Sequence, residues 1–388
     1  MQSPEDQLIT ILKKNRVDFA GTLPCEKIKV LLKRISSTFF HIPLTREEEG
    51  VGISAGIALA GRRPAVFVQS SGIGNMINAL LSLTGFYELP LAIFVSQRGI
   101  YKEKIEAQMP MGLRLPKILR GAGIPYSTIS TRKDIGIIEK AIPALYRDNK
   151  IHAFLLSPAV FEKSGIRDRR SGVSYRKKQI IDPESFIINR TSSAKFTRFE
   201  ILKTIAPHLN GKIIVCNLGI PSKELFALKH QPSNFYMLGS MGMATPIGLG
   251  ISLATEREVI VIDGDGSLLM NPGTLATAAH FSPSNLTILA VDNSSYGSTG
   301  DQPTLTGSCV DLAVLAEGFG IGTVVRAAGK KQLADALKKR TAGFTFIHAP
   351  ALPGNADVPN IPIHHLEIKK QVMEFIKRGA NSEYRFTK

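Results

Sequence analysis

The chain has 388 residues, enough for two or three domains, and its 44% hydrophobic and 21% charged residues suit a globular protein with a substantial core. Of its net charge of +16, +7 falls in Lys163–Arg198, where ten Lys and Arg face three Asp and Glu. That stretch is rich in turn signals, and its aromatic residues do not interleave with the charge as a single-strand platform requires, so it reads as an exposed basic linker over 166–198 and not as a nucleic-acid site. Cys25, Cys216 and Cys309 are too few and too scattered for a disulfide framework. No apolar run approaches the roughly 20 residues of a membrane span, and Met1–Thr10 lacks a signal core, so the expected setting is cytoplasmic with no membrane partner.

The first half alternates helix and strand. Pro4–Lys14 has helical spacing, Val17–Gly21 is a short strand, and Cys25–Ser36 is a basic amphipathic helix. Phe39–Pro43 is strand-like, and Arg46–Ala60 is a helix of small residues stopped by Gly61. Pro64–Gln69 is an apolar strand, followed by the loop Ser70–Asn75 and a helix Met76–Tyr87. Leu91–Ser96, Tyr126–Ile129 and His152–Leu156 add strands, with Asp134–Arg147 a helix between the last two. After the linker come helix Arg198–Ala206, strand Lys212–Asn217 and helix Ser222–Lys229. A Gly-rich run spans Gly239–Gly250. Val259–Ile262 and Leu286–Val291 are continuous apolar strands of the buried parallel kind, joined through a helix Asn271–His280; strand Thr345–His348 and helix His365–Arg378 close the chain. The fold class is α/β: two doubly wound parallel-sheet domains, 1–165 and 199–388, with no middle domain.

Two apolar strands end in polar clusters, Asp263-Gly-Asp-Gly-Ser267 and Asp292-Asn-Ser-Ser-Tyr-Gly297. Ligands of open parallel sheets sit beyond such strand ends, so the clusters should meet there. Gly264 and Gly266 would let the backbone turn sharply and a phosphate approach. A carboxylate with an amide oxygen is hard-oxygen ligation, suited to Mg²⁺ held together with phosphates.

Asp265 and Asn293 lie 28 positions apart with a helix and a strand between, which resembles the cofactor signature of thiamine-diphosphate enzymes. In that family the signature ends in Asn-Asn; here the first Asn is replaced by Asp292. The resemblance implies Asp265, Asn293 and the backbone carbonyl of Ser295 as Mg²⁺ ligands. It also implies cofactor contacts from Gly264, Gly266, Ser267 and Tyr296. Gly239-Ser240-Met241 resembles the loop supporting the cofactor's centre, with Met241 as the apolar prop, although Met241 and Met243 also suit plain core filling. Asn217-Leu-Gly219 resembles a further cofactor-contacting turn.

The family takes a glutamate from the pyrimidine-binding half, usually of a second subunit. The matching stretch is His41-Ile-Pro-Leu-Thr-Arg-Glu-Glu-Glu-Gly50; aligning Gly56 with the family's helix glycine selects Glu47, with Glu48 the next choice and an acidic helix N-terminus the plain reading. Gln69-Ser-Ser-Gly-Ile-Gly-Asn75, Ser96-Gln-Arg-Gly99 and Gln108-Met-Pro-Met-Gly112 resemble loops of phosphonopyruvate and sulfopyruvate decarboxylases. They nominate Gln69, Ser71, Asn75, Arg98 and Gln108 for substrate, with Lys102, Lys104 and Arg114 as further cations for a dianion. Arg46–Gly52 and Leu238–Ala244 look closest to the sulfopyruvate group, in which the two halves are often separate subunits; this chain would be the fused form. What the resemblance implies is decarboxylation of a small anionic 2-oxoacid, 3-sulfopyruvate to sulfoacetaldehyde as in coenzyme M biosynthesis, with 3-phosphonopyruvate the next choice. The cofactors would be thiamine diphosphate and Mg²⁺. The assembly would be a homodimer or homotetramer with active sites between chains.

Overall fold

The computed structural model describes residues 2–162, 194–338 and 343–378. Most of the basic linker, 166–193, lies outside them. The first half holds the strands β1 (Phe19–Thr22), β2 (Phe40–Pro43), β3 (Pro64–Gln69), β4 (Leu91–Ser96), β5 (Tyr126–Ile129) and β6 (Ile151–Leu156). The second holds β7 (Ile213–Cys216), β8 (Asn234–Tyr236), β9 (Val259–Gly264), β10 (Leu286–Asp292), the short antiparallel pair β11 (Ser295–Tyr296) and β12 (Gln302–Pro303), then β13 (Thr323–Arg326) and β14 (Thr345–Pro350).

The large sheets are six-stranded, ordered β2-β1-β3-β4-β6-β5 and β8-β7-β9-β10-β14-β13, with every neighbouring pair parallel. Counted within each half, the two orders are the same. In each sheet the chain reverses direction between the first and third strands, at β1/β3 and β7/β9, and that is where an open α/β sheet leaves a crevice. The central strands β4 and β9 are buried almost throughout, which is why their sequences are continuous apolar runs.

Topologically equivalent helices join the halves. Glu47–Leu59, between β2 and β3, packs on Ala244–Ala254, between β8 and β9. Both are buried on nearly all sides, so small residues occupy their contact. A Cβ on Gly56 would lie 2.1 Å from the Ile247 carbonyl oxygen, and one on Gly250 would lie 2.0 Å from that of Ile53. The glycines permit backbone-to-backbone contact there. Buried Tyr87 adds a polar brace: its hydroxyl donates to the Tyr236 carbonyl (2.9 Å) and accepts from the Leu238 N–H (3.1 Å).

Four segments differ from the sequence expectation. The helix after β3 begins at Ser70, so Ser70–Asn75 is helix and not loop; it runs to Ala79 and widens into a π-helical stretch over Leu80–Gly85. Gly72 is there for clearance, because a Cβ on it would fall 2.4 Å from Glu47 Oε1. Half of the Gly-rich run is the buried helix Ala244–Ala254. The helix expected over Asn271–His280 is present as Gly273–Phe281, but an unexpected short helix, Asp265–Met270, precedes it directly after β9. Finally, Gln108 ends a short 3₁₀ turn that leads into the helix Met109–Gly121, so the Gln108–Gly112 run is helical as well.

Candidate cofactor and metal site

At the carboxyl ends of β7, β9 and β10 a pocket is lined by Asn217, Leu218, Pro221, Met241, Asp263–Ser267, Asn293, Ser295–Thr299 and Arg198. Nine of the expected residues therefore converge: Asn217, Met241, Gly264, Asp265, Gly266, Ser267, Asn293, Ser295 and Tyr296. Met241 is a wall of the pocket, whereas Met243 is core, fully buried. Gly264 does not make a left-handed turn; its backbone is extended at φ −103°. Gly266 serves close approach, since its Cβ would fall 2.2 Å from the Tyr296 ring. Gly219 has φ +82° and opens the helix Ile220–Leu228. Gly239 and Ser240 turn elsewhere: Ser240 Oγ meets Ser82 Oγ of the first half at 2.5 Å, and a Cβ on Gly239 would sit 2.9 Å from the Ser82 carbonyl oxygen.

The candidate metal donors are all oxygen. The Asn293 amide reaches the Ser295 carbonyl oxygen at 3.0 Å and Asp265 Oδ1 at 3.2 Å with its side-chain oxygen, so three acceptors face one another. Turning the amide over would satisfy both contacts with N–H donors when no cation is present. With the oxygen inward, the spacing matches octahedral Mg²⁺, whose ligand oxygens at about 2.1 Å lie roughly 3.0 Å apart. Among the described residues no cluster of three or more His, Cys, Asp or Glu offers a rival site. The residues present fit Mg²⁺ with a phosphate ligand.

Sequence reasoning missed what holds Asp265. Its Oδ2 accepts from Thr304 Oγ1 and lies 3.1 Å from Thr306 Oγ1, residues 39 and 41 positions away. Burial raises the Asp265 carboxyl above the ordinary range, and the Asp292 charge adds to this against the two threonine hydroxyls. Asp263, also buried, is raised by the same desolvation while accepting from Thr245 Oγ1 at 2.8 Å and the Gly264 N–H at 2.9 Å. For Asp292 the balance goes the other way: burial pushes it up, but hydrogen bonds from His348 and Thr306 bring it below its usual value. The only hint in the sequence was the hydroxyl-rich stretch Ser294–Ser308.

Arg198, counted with the exposed basic linker, is buried and lines the pocket. It donates twice to fully buried Glu224 (2.7 and 3.0 Å) and to Asn355 Oδ1 at 2.8 Å; Asn355 in turn donates to the Gly297 carbonyl at 2.7 Å. Replacing Arg198 by Ala would strand a buried carboxylate, so urea unfolding should show about 3–5 kcal/mol of lost stability. A loss below about 1 kcal/mol, the worth of a surface pair, would contradict this placement.

The first-half candidates gather at the other sheet. Glu47 is 6% exposed, accepts from Asn75 Nδ2 at 2.9 Å and packs on Gly72. Gln69 ends β3, and exposed Ser71 lies in the following helical turn. Arg98 is not an open cation: it makes a bidentate pair with Glu103 (2.6 and 2.7 Å), both side chains nearly buried. That pair lowers the Glu103 carboxyl to about 2. Lys102 pairs with Glu162 at 2.6 Å, while Lys104 and Arg114 are exposed. The pocket walls come from Arg198–Thr299, so Glu47 and the pocket belong to different halves of the chain.

Residues 4–113 match the thiamine pyrophosphate enzyme N-terminal TPP binding domain and residues 222–349 its C-terminal TPP binding domain. The chain is 43% identical over 376 residues to a sulfopyruvate decarboxylase of Methanosarcina acetivorans, covering 96% of this chain and 97% of that one. It is 32% identical to a phosphonopyruvate decarboxylase of Streptomyces hygroscopicus, over 97% of this chain and 94% of that one. A thiamine diphosphate-dependent 4-hydroxybenzoylformate decarboxylase of Rhodococcus jostii has the same fold, with TM-score 0.69 at 14% identity over 92% of this chain and all of that one. No helix among the described residues is long and apolar enough to cross a membrane. With both thiamine-pyrophosphate domains present and a full-length relationship at this identity, the chain belongs to the sulfopyruvate decarboxylase family of thiamine pyrophosphate enzymes.

Proposed function

We propose that this chain decarboxylates 3-sulfopyruvate to sulfoacetaldehyde and CO₂, using thiamine diphosphate anchored through Mg²⁺. The observation that carries this reading is the full-length similarity to a sulfopyruvate decarboxylase, 43% against 32% for the phosphonopyruvate enzyme. Bound thiamine diphosphate supplies a carbon nucleophile and an electron sink for the departing carboxylate.

The chain's own residues have four tasks. Asp265, Asn293 and the Ser295 carbonyl hold Mg²⁺, which offsets the repulsion between Asp265 and a diphosphate. Asn217, Gly219 and the backbone at Gly264–Ser267 cradle the phosphates, and Met241 and Tyr296 wall the cofactor. Gly239 and Ser240 act indirectly, by fixing the Met241 turn against Ser82. Glu47 gives up and regains a proton at the cofactor's pyrimidine.

Substrate enters over Gln69, Ser71, Asn75 and Gln108. Since Glu103 already meets the Arg98 charge, Arg98 shapes this rim, and exposed Lys104 and Arg114 supply attraction for the dianion. Glu47 and the metal ligands lie on different halves, which suits a homodimer, or a tetramer of two such dimers, with sites shared between chains in the cytoplasm. Steady-state assays on both oxoacids test the substrate: kcat/KM should be higher for 3-sulfopyruvate, and a preference for 3-phosphonopyruvate would reassign it.

A further inference from the structure

The family signature ends in two asparagines, and here the first is Asp292. A buried aspartate at a strand end costs free energy unless it is paired and hydrogen-bonded. Asp292 is 8% exposed, and each of its oxygens is engaged. Oδ2 faces His348 Nε2 at 3.0 Å. Oδ1 accepts from Thr306 Oγ1 at 2.7 Å, from the Ser294 N–H at 3.1 Å and from Ser294 Oγ at 3.3 Å.

An asparagine could offer one oxygen to Thr306 and Ser294, but its nitrogen would then confront His348. The imidazole comes from β14, the sheet neighbour of β10, where His348 is paired in register with Ala290. Its other nitrogen, Nδ1, is buried without a hydrogen-bond partner, so Nε2 carries the hydrogen donated to Asp292.

Thr306 links this pair to the metal. Its hydroxyl lies 2.7 Å from Asp292 and 3.1 Å from Asp265 Oδ2, and it has one hydrogen to give. That hydrogen is shared in a three-centre bond, mainly toward Asp292 and, over the longer arm, toward Asp265 Oδ2. Thr304 then donates to Asp265 Oδ2, standing 2.9 Å from Thr306. With Oδ2 fixed in this way, Asp265 Oδ1 is the oxygen left facing Asn293 and the Ser295 carbonyl.

We propose that His348, Asp292 and Thr306 form a positioning relay, running from β14 across β10 to β9, that aims Asp265 Oδ1 at the cation. The relay rests on the reading of Asp265 as a Mg²⁺ ligand. It makes the Asn-to-Asp departure a working part of the site: the carboxylate binds the imidazole on one side and the Thr306 hydroxyl on the other. None of the three touches the metal. Their effect falls on Mg²⁺ affinity through the orientation of a ligand, as outer-shell partners generally act.

Calorimetric titration of Mg²⁺ into the full-length protein with excess thiamine diphosphate tests this. His348→Ala and Thr306→Val should each weaken Mg²⁺ binding about 10- to 100-fold. Thr306→Ser should restore it, and turnover should recover as Mg²⁺ is raised. Because both act on one path, the double variant should bind about as weakly as the weaker single one. Additive losses, or unchanged affinity in either single variant, would overturn the relay. If His348→Ala does not fold, Thr306→Val with its serine rescue carries the test alone. If the wild type binds thiamine diphosphate equally well without Mg²⁺, the metal assignment falls and the relay with it. If the wild type needs Mg²⁺ and the variants bind it normally, only the relay falls.

Discussion

Glu47→Gln should lower turnover by about 10²- to 10⁴-fold, the usual range for a positioned proton-transfer group, with thiamine diphosphate affinity nearly unchanged. The three consecutive glutamates are sorted by their surroundings. Glu49 is fully buried and turns back to accept from the Thr45 N–H and hydroxyl at 2.8 and 2.7 Å, which ties the chain entering the helix to its first turn. Glu48 retains 15% side-chain exposure and lies 3.7 Å from Arg46, while burial raises its carboxyl above the ordinary value. Glu47 is pinned between Asn75 and the missing side chain of Gly72, at the carboxyl edge of the first sheet. Gln preserves its size and one acceptor but removes the exchangeable proton. Pre-steady-state kinetics with calorimetry separates the two effects. A normal Glu47→Gln beside an inactive Glu48→Gln would move the role by one residue, and a loss of cofactor affinity matching the loss of turnover would make Glu47 a binding group.

What could be read from the chain follows from the range of the interactions involved. The strands β3, β4, β9 and β10 were legible because a doubly covered parallel strand is a continuous apolar run, a local pattern. That Asp265 and Asn293 meet in one pocket was legible because the strand–helix–strand unit fixes their spacing. The start of the helix at Ser70 was not. Gly72 and Gly74 weaken helical propensity, and the demand for a side-chain-free Gly72 comes from Glu47, on another helix. The helix Ala244–Ala254 was hidden in the same way, since Gly250 is dictated by Ile53 of the opposite half. Beyond lying in a hydroxyl-rich stretch, Thr304 and Thr306 carry no local signal, and His348 carries none, because their partners Asp265 and Asp292 lie 14 to 56 residues away. Arg198 looked like one more linker cation until Glu224, 26 positions on, gave it a buried partner.

Removing the Asp265 carboxylate should have the other large effect. In Asp265→Ala, thiamine diphosphate affinity should fall by more than about 100-fold, beyond what outer-shell changes cost, and should no longer respond to Mg²⁺. Asp265→Asn keeps the shape and yields a cleaner readout, because burial raises the wild-type carboxyl. A raised native pKa means that the folded state binds the proton more readily than the unfolded chain, so stability falls as pH rises through that range. Without metal, ionised Asp265 is therefore a net cost above its raised pKa and is relieved as it protonates. Metal-free Asp265→Asn should melt higher than metal-free wild type near neutral pH, and the gap should close as the pH is lowered. With Mg²⁺ and cofactor the order should reverse, since the cation stabilises only the form that binds it. Acid should weaken Mg²⁺ binding from a higher pH than the ordinary aspartate value of about 3.9 would give, the proton and the metal competing for one buried oxygen pair. Paired thermal melts across pH, with and without Mg²⁺, decide the matter: a gap that does not vary with pH, or a metal that stabilises both proteins equally, would mean that Asp265 is not the group that holds the cation.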